Sequence, residues 1–180
     1  MARLLYSAAM SLDGFIAGAG GDMSWLATFF GPNPTVDELP GMIGSLLVGN
    51  RTFRGDDPYR GTEAEGKPFG GAWSGPQFVL THHPPEAEVE GTTFVGDLES
   101  GVAAAKAAAG DRYVNVLGAE VARQCLEQSL LDEILVCIAP VLLGDGVRLF
   151  DWPGGTNVRL ERIDLTETPR VTNLWMRVVR

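Results

Sequence analysis

Four short runs of almost unbroken apolar sequence constrain this chain more than any other feature. Leu4 to Ser11, Leu46-Leu47-Val48-Gly49, Phe78-Val79-Leu80-Thr81 and Tyr113 to Leu117 each end at a glycine or in a polar turn; the first is closed by Asp13-Gly14. Runs of about 4–8 apolar residues without alternation fit strands covered on both faces, the kind found in parallel sheets. Parallel neighbours need crossovers, and helical signals lie between the runs. Asp97 can cap a helix from Leu98 to Ala109, with Gly110 as its stop. Val121, Ala122, Cys125, Leu126 and Leu130 place an apolar stripe on a second helix that starts near Ala119.

Beyond that helix the pattern changes. Glu133 to Val141 reads as a long buried strand and Gly144-Asp145-Gly146 as a turn. Val158 to Thr166 and Val171 to Val179 read as two further strands with Thr168-Pro169 between them. The expected class is α/β: a mixed, mostly parallel central sheet with flanking helices and antiparallel C-terminal strands. A length of 180 residues predicts a single domain over 1–180, and neither linker nor repeat is visible. Segment 54–76, rich in glycine, proline and charge, reads as a long surface loop of the kind that often carries function.

Charge and composition remove several classes. Fourteen basic against 23 acidic residues leave a net charge of −9, the wrong sign for a protein that tracks nucleic acid. A local basic spot for one small phosphate ligand is compatible with it. Cys125 and Cys137 match no metal-ligand spacing and read as buried reduced thiols. There is no basic segment followed by an apolar leader core, and the longest nearly apolar run, Ile134 to Leu143, is far short of the ~18–20 residues of a span. No membrane partner and a cytoplasmic location are expected. The G-x-S-x-G elbow, HExxH and the P-loop lysine motif are all absent.

In an open α/β sheet, ligands bind beyond the carboxyl ends of the parallel strands. Gly49-Asn50-Arg51-Thr52-Phe53 has that address: either a phosphate site made of a glycine, helix N–H groups, Arg51 and Thr52, or a plain helix start with an exposed arginine. Thr81-His82-His83 has it too, as a seat for an adenosine 2′-phosphate or as a solvated polar loop. Gly118-Ala119-Glu120-Val121-Ala122 is a third strand-to-helix junction suited to an anion or dinucleotide, although it lacks the GxGxxG fingerprint. The fourth runs from Ser11 to Trp25, a glycine-rich stretch suited to a lid over a flat ring. Asp13 within it either fixes the turn or transfers protons.

Taken together, these segments resemble the reductase domain of bacterial riboflavin biosynthesis proteins and its stand-alone relatives, which share the dihydrofolate reductase fold. The likeness rests on Met10-Ser11-Leu12-Asp13-Gly14-Phe15-Ile16-Ala17, Gly49 to Phe53 and Val79-Leu80-Thr81. A C-terminal signature adds to it, from Val116-Leu117-Gly118-Ala119 through Leu131-Asp132-Glu133 and Ala139-Pro140-Val141-Leu142-Leu143-Gly144-Asp145-Gly146 to Leu149-Phe150. The resemblance implies NADPH as hydride donor. Gly49, Arg51 and Thr52 would hold phosphates, and Thr81 and His82 would lie beside the 2′-phosphate. Leu117, Gly118, Ala119, Glu120, Val121 and Ala122 would cover the pyrophosphate and nicotinamide side, with Ala9 and the Ile16–Asp22 loop facing the nicotinamide.

The resemblance also extends to Thr52-Phe53-Arg54-Gly55-Asp56-Asp57-Pro58, similar to a Thr-x-Arg-x-Asp-x-Pro stretch near the ribosyl substrate. It implies Arg54 and Asp57 as substrate contacts, beside Trp25, and a homodimer. The chain departs from the pattern in carrying Asn50 before its arginine, and Gly118-Ala119 where Gly-Gly is usual. Leu26-Ala27-Thr28-Phe29-Phe30 stands where dihydrofolate reductases place a carboxylate. The expected function is therefore an NADPH-dependent reductase of a small heterocyclic or ribosylamino substrate, with Asp13, a solvent proton or an unidentified acid finishing the reaction. Two alternatives stay open: an inactive NADPH-binding or sensing protein, and a dihydrofolate reductase whose acid has moved to Asp37 or Glu38.

Overall fold

The computed structural model describes residues 1–180. Ten strands form: β1 Leu4–Ser11, β2 Phe15–Ala17, β3 Ile43–Gly49, β4 Gln77–Leu80, β5 Thr92–Val95, β6 Tyr113–Leu117, β7 Glu133–Ala139, β8 Val147–Arg148, β9 Leu160–Glu167 and β10 Thr172–Val178. The helices are α1 Pro34–Asp37, α2 Leu39–Met42, α3 Asn50–Phe53, α4 Leu98–Ala109 and α5 Ala119–Glu127. Eight strands make one sheet in the order β5-β4-β3-β6-β1-β7-β10-β9, while β2 and β8 pair by themselves. From β5 to β7 every pairing is parallel. β10 joins β7 and β9 antiparallel, so the expected mixed sheet is the observed one.

The pleat separates the apolar side chains into two cores, because successive residues of a strand face opposite ways. Leu4 and Tyr6 of β1 pack with Val114, Val116, Ile134 and Val136 under Val102, Ala105, Val121 and Cys125 of α4 and α5. Leu5, between them in sequence, faces the other way and joins Leu46, Val48, Val79 and Leu135 beneath Leu39 and Trp73. Asp97 caps α4 as expected: its Oδ1 accepts the Ser100 N–H at 2.8 Å. Both long helices therefore cover one face, and the other is left to short turns and to loop residues.

Several elements differ from the sequence reading. Segment 54–76 does run over the surface, but Trp73 drops from it into the second core and donates to the Ile43 carbonyl at 3.2 Å. The helix opened by Gly49 is a single turn, because Gly55 follows within two residues of Phe53. β7 ends at Ala139 rather than at Val141, since Pro140 has no N–H to continue the ladder. The ribbon β2–β8, the edge strand β5 and the turns α1 and α2 were not expected. No helix is long and apolar enough to cross a membrane.

Candidate functional site

Parallel strands bring their carboxyl ends to one edge of a sheet, and here that edge opens into a cleft of about 2550 Å³. At its centre the ends of β3 and β6 lie side by side. Gly118 closes β6 at φ 106°, a left-handed conformation natural only to glycine. A β-carbon there would stand 2.5 Å from Thr52 Oγ1, so Gly118 and Thr52 share one small space. A β-carbon on Gly49 would likewise press Val121 Cγ2 at 3.1 Å. Neither α3 nor α5 has a side-chain cap. The first intrahelical bond of α5 runs from Ala122 N to Gly118 O, which leaves the N–H groups of Ala119, Glu120 and Val121 without helical acceptors. The result is a backbone cradle beside a hydroxyl, with Arg51 on its rim.

Of the sequence candidates, Ala9, Ile16, Gly49, Arg51, Thr52, Asp57, Thr81, His82, Leu117, Gly118, Ala119, Glu120 and Val121 all line this one cleft. Thr81 is buried, and its Oγ1 accepts the His83 N–H at 3.1 Å. Its own hydroxyl hydrogen is thereby left to donate into the cleft. Glu120 is an unexpected charge in such a cradle. The Arg123 guanidinium holds its carboxyl below the usual range against opposing desolvation, with Gln124 and Arg51 assisting. Arg123 Nη2 lies 2.6 Å and Gln124 Nε2 2.9 Å from Glu120 Oε1.

The other candidates lie elsewhere. Ala122, on the inner face of α5, is fully buried in the core. Trp25 tilts against Phe29 at 6.2 Å, outside the cleft lining, with its Nε1 buried and unpartnered. Arg54 is outside the cleft lining and donates to Asn50 Oδ1 and to the His83 carbonyl at 3.0 and 3.3 Å. Asp13 is also outside the lining. Its carboxylate accepts from Ser11 Oγ at 2.6 Å, Leu143 N at 3.1 Å and Gly144 N at 2.7 Å. The Ser11 hydroxyl first, and these backbone groups after it, lower its pKa to about 2 against desolvation. Such a group carries no proton near neutrality and latches the 142–146 loop to the end of β1.

Two residues the sequence reading missed, Asp56 and Asn33, bond partners far away in the chain, whereas Asp57 and Asp37, which it named, bond locally. Asp57, although it lines the cleft, accepts from Tyr59 N at 2.8 Å and Gly66 N at 2.5 Å, which shapes its own loop. Its neighbour Asp56 reaches across to Met23 N at 3.0 Å. That backbone bond chiefly lowers the Asp56 pKa, opposed by desolvation and aided by the backbone of Asp57 and by Arg60. Asn33 also lines the cleft, in a reciprocal amide pair with Asn173, both bonds 2.9 Å. Asp37 lines it too and accepts the Asn33 N–H at 3.1 Å; Glu38 does not reach the cleft. No group of three or more potential metal ligands is present.

A family model described as the RibD C-terminal domain matches residues 2–173. The uncharacterized protein YwjB of Bacillus subtilis (strain 168) is 25% identical over 162 residues, covering 85% of this chain and 86% of that protein. The crystal structure of a "putative riboflavin biosynthesis protein" from Shewanella sp. PV-4 matches with a TM-score of 0.72 and 25% identity, over 100% of both chains. The Thermotoga maritima diaminohydroxyphosphoribosylaminopyrimidine deaminase/5-amino-6-(5-phosphoribosylamino)uracil reductase shares the fold. Its TM-score is 0.67 at 16% identity, and the match covers 99% of this chain but 57% of that longer one.

Proposed function

The chain belongs to the RibD C-terminal domain family, and on that premise we propose that it is an NADPH-dependent reductase of a small heterocyclic or ribosylamino substrate. The observation that carries the reading is the cradle between β3 and β6, where Gly118 leaves room beside Thr52 and the N-terminus of α5 is uncapped. A pyrophosphate suits it, because free N–H donors and the helix dipole favour an anion there. Arg51 supplies charge at the rim. Thr81 and His82 are proposed to meet the 2′-phosphate, the hydroxyl donating a hydrogen bond. Ala9 and Ile16 would flank the nicotinamide, and Leu117 the floor beneath it. When bound, NADPH supplies the hydride, and the chain's own work is to orient the two reactants and exclude water.

The proton donor is proposed to be neither Asp13 nor Asp57, whose oxygens are engaged by backbone N–H groups. A homodimer belongs to the same proposal. Its candidate surface is β9, the antiparallel one of the two sheet edges, where Leu160 and Leu165 are exposed; sedimentation of the purified protein decides between one chain and two.

Asp37 favours one second reading, a dihydrofolate reductase with a relocated acid, because it is a carboxylate on the cleft wall. The test of both is NADPH consumption at 340 nm with 5-amino-6-(5-phosphoribosylamino)uracil and with dihydrofolate as acceptors. Turnover of the first supports the riboflavin-pathway reading. Turnover of dihydrofolate that disappears in Asp37→Asn supports the second. Binding of NADPH without turnover of either points to a protein that keeps the pocket for another substrate or for sensing.

A further inference from the structure

The cradle at the start of α5 carries a charge that an anion does not ask for. Glu120 is the second residue of the helix, so its backbone N–H is one of the free donors and its carboxylate stands within a turn of them. The start of α3 abuts the same turn, through the space that Gly118 shares with Thr52 and the contact of Gly49 with Val121. Arg51, between Gly49 and Thr52 in sequence, is thereby close enough to act on the Glu120 carboxyl. An acidic side chain in a first turn suits the helix dipole. It also repels any anion that the same N–H groups attract.

The carboxylate is held in place by its own helix. Arg123 meets it with a fork, Nη2 at 2.6 Å from Oε1 and Nε at 3.1 Å from Oε2. Gln124 Nε2 adds a third bond to Oε1 at 2.9 Å. The same guanidinium also meets Glu127 through Nη1, so one cation is shared between two carboxylates and cannot cancel both. Glu120 and Arg123 both line the cleft. Glu120 is the more exposed, its side chain at 58% against 24%, so the charge that this turn presents to solvent is chiefly negative. Glu127 stands seven residues further along α5, about 10 Å along the axis. That is roughly a Debye length in ordinary buffer, which screens it from the cradle.

We propose that Glu120 is a specificity-determining residue of the nucleotide site: its carboxylate, partly neutralised by Arg123, admits the bridging diphosphate of a dinucleotide and turns away the more highly charged terminal phosphates of free nucleotides. The proposal rests on the cofactor reading above. Near neutrality a bridging diphosphate carries about two negative charges and a free triphosphate about four, and repulsion from a fixed carboxylate grows in proportion. Selection of this kind comes from a repulsive group set against the wrong ligand, at some cost in affinity for the right one. Arg123 sets the strength of the repulsion, because it governs how much of the carboxylate charge is left over.

Equilibrium binding to the full chain tests it, at low salt and without divalent cations, with NADPH titrated directly and ATP read by its displacement of NADPH. Glu120→Gln keeps the size of the side chain and should tighten ATP by about tenfold but NADPH by only about threefold. Arg123→Gln should weaken both, ATP again by the larger factor. Glu127→Gln changes the net charge of the chain as much as Glu120→Gln does, yet should move either constant by less than about twofold. All these differences should shrink in about 0.5 M salt. A pair that only steadied α5 would shift Glu120→Gln and Arg123→Gln in the same direction, so the opposite signs are the readout that separates selection from support. No gain in Glu120→Gln, or equal gains for the two nucleotides, overturns the selection alone. A wild-type protein that binds no NADPH overturns the cofactor reading and the selection with it.

Discussion

A carboxylate that accepts three hydrogen bonds is a poor place to store a proton, and Asp13 is such a carboxylate. Its folded pKa of about 2 lies below the ordinary 3.8. The stability it lends is therefore present above the ordinary value and is lost as pH falls from there toward about 2. Asp13→Asn should lower the unfolding temperature at pH 6, and its deficit against wild type should shrink as the pH is taken down through that window. A deficit that is constant with pH would contradict the latch. Gly118 makes the opposite demand, for the absence of a side chain. Gly118→Ala puts a methyl at positive φ and against Thr52, so it should cost about 1–3 kcal/mol and weaken nucleotide binding; denaturant unfolding and an NADPH titration check both. Glycines and hydroxyls at strand ends were legible in the sequence, because their place follows from the strand pattern. The Asp56–Met23 bond was not, because no periodicity links two loop residues 33 positions apart.

Among the elements, α4 was legible to the residue, from Asp97 to Gly110, because capping chemistry is local. β5 was not: Thr92 to Val95 is a four-residue edge strand that follows a polar, charged loop. Its Val95 carbonyl nonetheless holds the Thr81 N–H and so shapes the candidate adenosine end. The loop over 54–76 was legible as a loop but not as a core contributor, since a lone tryptophan among glycines and charges carries no pattern. Trp73→Ala should cost about 3–5 kcal/mol, the usual range for emptying a buried aromatic site. Chemical denaturation measures it, and a loss of less than about 1 kcal/mol would show that the loop is only draped on the sheet.

On the scale of the whole molecule, the fold and the address of the site follow from one another. Parallel strands with near-continuous apolar sequence require covered faces, and their shared carboxyl edge is where the cleft lies. The chain belongs to the RibD C-terminal domain family and shares its fold; its cofactor is the central proposal. The most direct test is thermal unfolding over a concentration series of NADPH and of NADH. At 100 times its dissociation constant a ligand stabilises the folded state by about 2.7 kcal/mol, which for a domain of this size is a rise of roughly 5–11 °C. A rise of that order with NADPH, and a clearly smaller one with NADH at equal concentration, is the predicted result. No rise with either nucleotide would contradict the account and leave the cradle at Gly118 without the ligand assigned to it.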